Sequence, residues 1–179
     1  MSIPASLVKK LRDKTNAGMM DCKEALEASG GDFDKAVEYL RKKGLSAATK
    51  RSSKAAKDGV IASYIHMQGR IGVLVEVNCE TDFVARTEAF QAMAKDIAMH
   101  IAASNPSYLN AESVPPSVLE GEKEIYRSQA KAEGKPEKIY DRIIDGKLKK
   151  FYEEVCLMDQ KFIKDTNITV NTLVQNMIA

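Results

Sequence analysis

The spacing of apolar residues changes twice along this chain, from a helical period to alternation and back. Within residues 71–79, every second residue from Ile71 to Cys79 falls on one strand face, with Leu74 and Glu76 on the other. Another strand-like run covers 60–67, and the intervening Gln68-Gly69-Arg70 is typical of a hairpin turn. The pattern predicts an α+β fold with an antiparallel β-hairpin among helices.

Residues 1–44 are predicted to form three short helices, a bundle near the lower size limit for independent stability. Asn16-Ala17-Gly18 and Gly30-Gly31 separate the helices, and Asp32 is a suitable N-cap for the third, which should end before Gly44. The apolar residues that supply these helices are Leu7, Val8, Leu11, Met19, Met20, Cys22, Ala25, Leu26, Phe33, Ala36, Val37 and Leu40.

The remaining chain is predicted to contain a basic, partly helical linker (45–58) and a core (59–112) that combines the hairpin with a covering helix. Residues 113–155 predict a projecting, coiled-coil-like helical hairpin joined near Gly134, and 156–179 predict a return to the core. The covering helix would use Phe90, Met93, Ala94, Ile97 and Ile101; the two hairpin stripes would be Val118, Glu122, Ile125 and Gln129, then Tyr140, Ile144, Leu148, Phe151 and Val155.

The charge of the chain is balanced overall but uneven along it. There are 27 basic and 25 acidic residues, and residues 41–57 contain seven basic and no acidic ones. This uneven pattern differs from that of a uniformly cationic nucleic-acid binder, and the lack of Trp weakens a base-stacking surface. A solvated or partner-facing linker is favoured over a nucleic-acid contact.

The cysteines and the hydropathy predict a soluble protein of the cytoplasm. Cys22, Cys79 and Cys156 are widely spaced and odd in number, which argues against a disulfide framework. Cys79 is in phase with the apolar strand face, so a buried structural thiol is expected. No apolar run approaches about 20 residues, and the N-terminus lacks a signal-peptide pattern, so no membrane span is expected.

Motifs that would indicate catalysis are missing from the sequence. It contains neither G-x-x-x-x-G-K-[ST] nor G-x-G-x-x-G, so a phosphate-binding loop is not supported. His66 and His100 are not spaced with each other or with a cysteine as metal ligands are. We therefore expect no enzyme activity, no metal and no cofactor.

Two segments allow a functional interpretation beside a structural one. Met19 and Met20 follow a glycine turn, and they would either pack in the bundle or form an adaptable partner-binding patch. Phe83 lies between a strand and a helix, outside any apolar stripe. It would either fold back on its own core or form an exposed apolar wedge beside the carboxylate of Asp82.

Several motifs resemble the elongation factor Ts family, the guanine-nucleotide exchange factors of elongation factor Tu. The resemblance covers nearly the whole chain, in order. Its most diagnostic part is VEVNCETDFVA, residues 75–85, and the others are SLVKKLR (6–12), GMMDCK (18–23), DGVI (58–61), IAMHIAA (97–103) and GKLKKFY (146–152).

The resemblance implies a ubiquitin-associated-like N-terminal bundle that binds the G domain of elongation factor Tu, whether GDP-bound or nucleotide-free. It implies no direct nucleotide binding by this chain. Thr81, Asp82, Phe83 and Val84 would be linked to magnesium displacement from the partner. Family positions that face the partner are matched by Arg12, Met19, Met20, Lys23 and His100.

The chain resembles the short form of the family, because the helix from Thr87 runs directly into residues 97–100. That form has one core per chain and implies a homodimer. The resemblance implies another strand beyond the last helix, and this sequence ends before it, so we expect either a truncated sequence or a lost strand. A different hypothesis is a helical adaptor that holds a peptide or ubiquitin-like partner through the N-terminal bundle.

Overall fold

The computed structural model describes residues 3–15, 17–51 and 56–178, and it has the predicted α+β architecture. The contacts divide it into two units, one with α1–α3 and the last turns of α8, the other spanning Ala56–Leu173. The elements are α1 (Ala5–Thr15), α2 (Met19–Ala28), α3 (Phe33–Arg51), β1 (Asp58–His66), β2 (Ile71–Cys79), α4 (Asp82–Ala85), α5 (Glu88–Ser104), α6 (Pro116–Ala132), α7 (Tyr140–Val155), β3 (Lys161–Phe162), β4 (Asp165–Thr169) and α8 (Val170–Ile178).

Helices α1–α3 form the predicted bundle around a small apolar core. Val8 and Leu11 of α1 pack with Cys22, Ala25 and Leu26 of α2 and with Ala36 of α3. Asp32 caps α3 as predicted, because its carboxylate accepts a hydrogen bond from the Lys35 amide at 3.0 Å. Asn16, in the predicted turn between α1 and α2, lies outside the described residues.

Helix α3 does not end before Gly44, as the sequence had suggested, but continues to Arg51. A glycine inside a helix costs about 1 kcal/mol relative to alanine, and no proline follows to stop the helix. The predicted linker therefore begins as helix. Residues 52–55 of that linker and the side chains of residues 45–51 lie outside the described part of the chain.

Strands β1 and β2 form the predicted hairpin, with Asp58 opposite Cys79 and His66 opposite Ile71. One face packs against α5 through Ala62, Ala94 and Ala98. Cys79 is half-buried rather than buried, and its thiol donates to the Thr81 carbonyl at 3.1 Å. All three cysteines of the chain are free.

Helices α6 and α7 form the predicted helical hairpin, but the buried side of α6 differs from the prediction. Ala130 is buried, whereas the predicted Ile125 and Gln129 are exposed. The side of α6 that faces α7 is shifted by one residue from the predicted stripe. It includes Tyr126, and the Lys147 ammonium lies over the Tyr126 ring, 5.5 Å from the ring centre. The predicted stripe of α7 is confirmed by the burial of Ile144 and Leu148. Its projection from the body stays a prediction.

A second hairpin, β3–β4, was not predicted from the sequence. β3 has only two residues, and β4 is the polar run Asp165–Thr169, which lacks an alternating apolar pattern. Helix α8 follows directly, and its first residue, Val170, is fully buried. Among the described residues, no helix has the length and apolar character needed to cross a membrane.

Candidate functional site

The turn after β2 is built by two threonine caps in close succession. The Thr81 hydroxyl accepts a hydrogen bond from the Val84 amide at 3.4 Å and begins α4. Thr87 begins α5, where its hydroxyl accepts from the Phe90 amide at 3.3 Å and donates to the Val84 carbonyl at 2.8 Å. The caps satisfy backbone groups at a sharp change of direction, which defines residues 81–87 as the corner.

Phe83 projects from the corner and is 79% exposed, so the interpretation in which it folds back on its own core is wrong. Val84 is also exposed, while Ala85 is buried and anchors α4. Burying a phenylalanine side chain stabilises a protein by about 1.5–3 kcal/mol, and this fold forgoes that gain. An apolar side chain held out by a capped turn is suited to enter a pocket of another protein.

Asp82 carries a carboxylate next to the exposed ring. It forms an ion pair with the Arg86 guanidinium one turn later, with 3.0 Å between Oδ2 and Nη2, and both side chains are substantially exposed. Surface pairs of this kind contribute little to stability, so the carboxylate remains accessible to a partner group.

The start of α2 presents a second exposed apolar surface. Met19 is 44% and Met20 74% exposed, so the interpretation of both as core residues is wrong. The inner side of α2 is formed by Cys22, Ala25 and Leu26 instead. Lys23 is exposed on the same helix, and Arg12 is exposed on α1. Flexible methionines beside basic groups suit an adaptable protein-binding surface.

Lys43 of α3 holds α2 in place near these methionines. Its ammonium lies 2.9 Å from Oδ1 of Asp21 and 2.7 Å from Oε2 of Glu24. The Tyr39 hydroxyl donates to the other oxygen of Glu24 at 2.9 Å. Hydrogen bonds from Lys43 and Tyr39 lower the pKa of Glu24. This cluster was missed in the sequence because its members are up to 22 residues apart.

His100 is buried in this structure, whereas the resemblance implies that it faces the partner, and that contact stays a prediction. It is fully buried, and its Nε2 donates to Gln160 Oε1 at 2.9 Å. Its Nδ1 accepts from the Ile163 amide at 3.3 Å, and Gln160 donates to the Glu154 carbonyl at 2.7 Å. His100 therefore joins α5 to the segment around β3 in its neutral form.

The outer face of the β1–β2 hairpin is a further exposed apolar surface, as expected for two strands with a single covering helix. Leu74 is 77% exposed, and Ile61 and Ile65 are also exposed. These residues are out of phase with the face that packs on α5. Their signal was present in the sequence, because apolar residues occupy both phases of the strands.

Within residues 3–15, 17–51 and 56–178, no group of three or more His, Cys, Asp or Glu side chains is arranged to hold a metal ion. The geometry instead offers two surfaces, one at the corner and one on α2, where exposed apolar side chains lie beside charged ones. Exposed apolar side chains of this kind are suited to contact another protein.

Comparison with known proteins identifies the family. The family model described as Elongation factor TS matches residues 6–179. Elongation factor Ts of Syntrophus aciditrophicus (strain SB) is 71% identical over 179 residues, covering 100% of this chain and 89% of that relative. The protein of the same name from Nitratidesulfovibrio vulgaris (strain DSM 19637 / Miyazaki F) is 55% identical, covering 100% and 90%. The chain belongs to the elongation factor Ts family and is a translation elongation factor.

The burial of His100 predicts a specific dependence of stability on pH. Desolvation lowers the pKa of His100 below its ordinary value of 6.5, against a smaller opposing effect of the Gln160 hydrogen bond. The unfolded chain therefore binds a proton at higher pH than the folded chain, so stability is lost as pH falls through 6.5. We expect the melting temperature of the wild type to fall more than that of His100→Gln between about pH 7.5 and 5.5.

Thermal unfolding followed by circular dichroism at a series of pH values checks this. His66→Gln, which alters an exposed histidine, is the matched control. Neither substitution removes a member of the nearby Asp96–Lys164 ion pair. Parallel pH profiles for the wild type and His100→Gln would contradict the prediction.

Proposed function

We propose that this chain is a cytoplasmic guanine-nucleotide exchange factor, not an enzyme, that promotes GDP release from elongation factor Tu. The observation that carries the proposal is the exposed Phe83 at a turn capped by Thr81 and Thr87. Membership of the elongation factor Ts family supports the choice of partner. GDP release then allows GTP to bind to the partner.

The mechanism is a linkage between two binding events. If the factor binds nucleotide-free elongation factor Tu more tightly than the GDP form, GDP must weaken binding of the factor by the same ratio. Phe83 would insert into the partner's G domain near the nucleotide and shift the elements that coordinate magnesium. Loss of magnesium removes the main counter-charge of the phosphates, and GDP leaves.

The residues around Phe83 have supporting roles in this proposal. Thr81 caps the turn, Val84 extends the exposed apolar surface, and Asp82 brings a carboxylate to the partner. Since the wedge acts on the partner's magnesium site, no residue of this chain has to touch nucleotide.

The N-terminal bundle would hold the partner while the corner acts on it. Arg12, Met19, Met20 and Lys23 are exposed and form the proposed contact. His100 is buried, and its contact with the partner stays a prediction. The helical adaptor is not favoured as an alternative, because the family match continues to residue 179 instead of ending with the bundle.

We also propose that two copies of the chain associate through the outer face of the β1–β2 hairpin. Ile61, Ile65 and Leu74 expose an apolar surface there that no part of the described structure covers substantially. A two-stranded sheet with one helix on it buries a single face, so the other face remains available for self-association. A second copy would cover it with the same residues, as two-fold symmetry requires.

Substitution of Phe83 tests the exchange mechanism. We expect Phe83→Ala to lose roughly thirtyfold in exchange efficiency, because about 2 kcal/mol of coupling disappears with the ring. Affinity for the nucleotide-free partner should fall less, since the bundle still binds it. Asp82→Ala should act in the same direction but more weakly. The measurement is release of labelled GDP from elongation factor Tu, beside circular dichroism of each variant.

Leu109→Ala is the matched control, because Leu109 is a 57% exposed apolar residue outside the corner. It should exchange like the wild type. An unchanged rate for Phe83→Ala would refute the wedge.

Substitutions in the bundle test partner binding separately. Met20→Ala should weaken the complex by about 1–2 kcal/mol, the usual cost of truncating an interface anchor, and Arg12→Ala should act likewise. Melting temperatures should stay close to that of the wild type because both side chains are exposed. Titration calorimetry with nucleotide-free partner measures the affinity. Normal binding by the double variant would show that the contact lies elsewhere.

A charge on the outer hairpin face tests self-association. Leu74→Glu should convert a dimer into a monomer, because it places a charge in the apolar contact. Light scattering of the full chain at tens of micromolar measures the mass, with Leu109→Glu as the control for an added charge. A monomeric wild type, or a dimeric Leu74→Glu protein, would refute this interface.

A further inference from the structure

Gly59 lies where β1 has no room for a side chain beside β2. It is opposite Asn78, one residue from the open end of the hairpin. A Cβ added at Gly59 would be 2.4 Å from the Val77 carbonyl oxygen, 2.6 Å from Asn78 Oδ1 and 2.9 Å from Asn78 Cα. Two of these three atoms belong to the backbone, so rotation of a side chain cannot relieve the overlap.

The position of Gly59 connects it to the corner. Asn78 and Cys79 end β2, and Cys79 is hydrogen-bonded through its thiol to the Thr81 carbonyl. Thr81 in turn caps α4, which carries Phe83. The backbone that a side chain at Gly59 would displace is therefore five and six residues before Phe83 and leads directly into its turn.

We infer that Gly59 is a positioning residue for Phe83: its lack of a side chain lets β1 support the end of β2 and so fixes the corner. The inference extends the proposed function, since it concerns the orientation of the same wedge. An alanine at this position needs the Val77 carbonyl to recede from 2.4 Å to at least 3.0 Å.

Both ways of making that room weaken the corner. The middle of the hairpin is held by the packing of Ala62 against Ala94 and Ala98, so the strands can separate only at their open end. If the end of β2 moves, the turn moves with it. If the start of β1 moves instead, Asp58 leaves its place opposite Cys79 and the turn loses its support.

Gly72 provides a matched control in the same hairpin. It lies near the closed end, opposite Ile65, and an added Cβ there would meet only the flexible Ile65 Cδ1, at 3.4 Å. Gly72→Ala therefore makes the same chemical change in the same hairpin without a backbone overlap, at the opposite end of the hairpin from the corner.

The first measurement is made on the full chain without a partner. We expect the backbone ¹⁵N order parameters of residues 82–86 to fall in Gly59→Ala from about 0.85 to below about 0.6, the range of flexible backbone. Gly72→Ala should leave them at the wild-type values. Wild-type order parameters at the corner of Gly59→Ala would overturn the inference, as would an equal loss in Gly72→Ala.

The second measurement is GDP release from elongation factor Tu at saturating factor, compared with the affinity of the complex. We expect Gly59→Ala to lower the maximal rate about tenfold and to change the affinity less than about threefold. A displaced Phe83 should reduce the rate of GDP release more than the affinity of the complex, because the rate depends on its exact position. A purely structural defect would reduce both through loss of folded protein. A wild-type maximal rate would overturn the functional half of the inference.

Asn78→Gly keeps the test decisive if Gly59→Ala does not fold. This substitution removes the Asn78 side chain opposite Gly59 and makes the end of β2 more flexible, without introducing a steric overlap. It should therefore also lower the order parameters and the maximal rate. Wild-type behaviour of Asn78→Gly would overturn the inference. Phe83→Ala, measured in parallel, separates the two proposals: a normal rate there refutes the wedge, while the order parameters still decide the role of Gly59.

Discussion

The packing of α5 against one face of the β1–β2 hairpin is the contact on which the rest of that unit depends. Ala62 lies against Ala94 and Ala98, and small side chains allow a helix and a sheet to approach closely. A single helix covers only one face of two strands. Because successive side chains of a strand point to opposite faces, Ala62 is buried against α5 while Ile61, Ile65 and Leu74 lie on the uncovered face.

The exposure of Phe83 follows from how the chain leaves that sheet. Thr81 and Thr87, six residues apart, are the N-caps of α4 and α5. Helix α4 has only four residues, and of these only Ala85 is buried. The fold forgoes the burial of an aromatic ring at this point and leaves Phe83 and Val84 exposed side by side. The corner is consequently held by hydrogen bonds and by the end of the hairpin, and little by apolar packing.

Polar networks also connect other elements of the fold. Lys43 joins α3 to two carboxylates of α2, which holds the helix that carries the exposed methionines. His100 and Gln160 join α5 to the end of α7 and to β3 inside the protein. A buried network must satisfy all of its members, which accounts for the neutral state of His100.

The sequence was sufficient to predict the elements whose apolar period is strong: the bundle helices, the β1–β2 hairpin, α5 and the stripe of α7. It also determined the family, because motifs such as residues 75–85 need no coordinates to be recognised. Three features could not be predicted from the sequence. The strands β3 and β4 are too short to show an alternating pattern, and the glycine inside α3 conceals its continuation. The long charged side chains of α6 leave the side that faces α7 ambiguous. Whether Phe83 was core or surface, and whether His100 was surface or core, was decided only by tertiary structure. Exposure depends on which other elements cover a residue, and the spacing of residues along the chain does not contain that information.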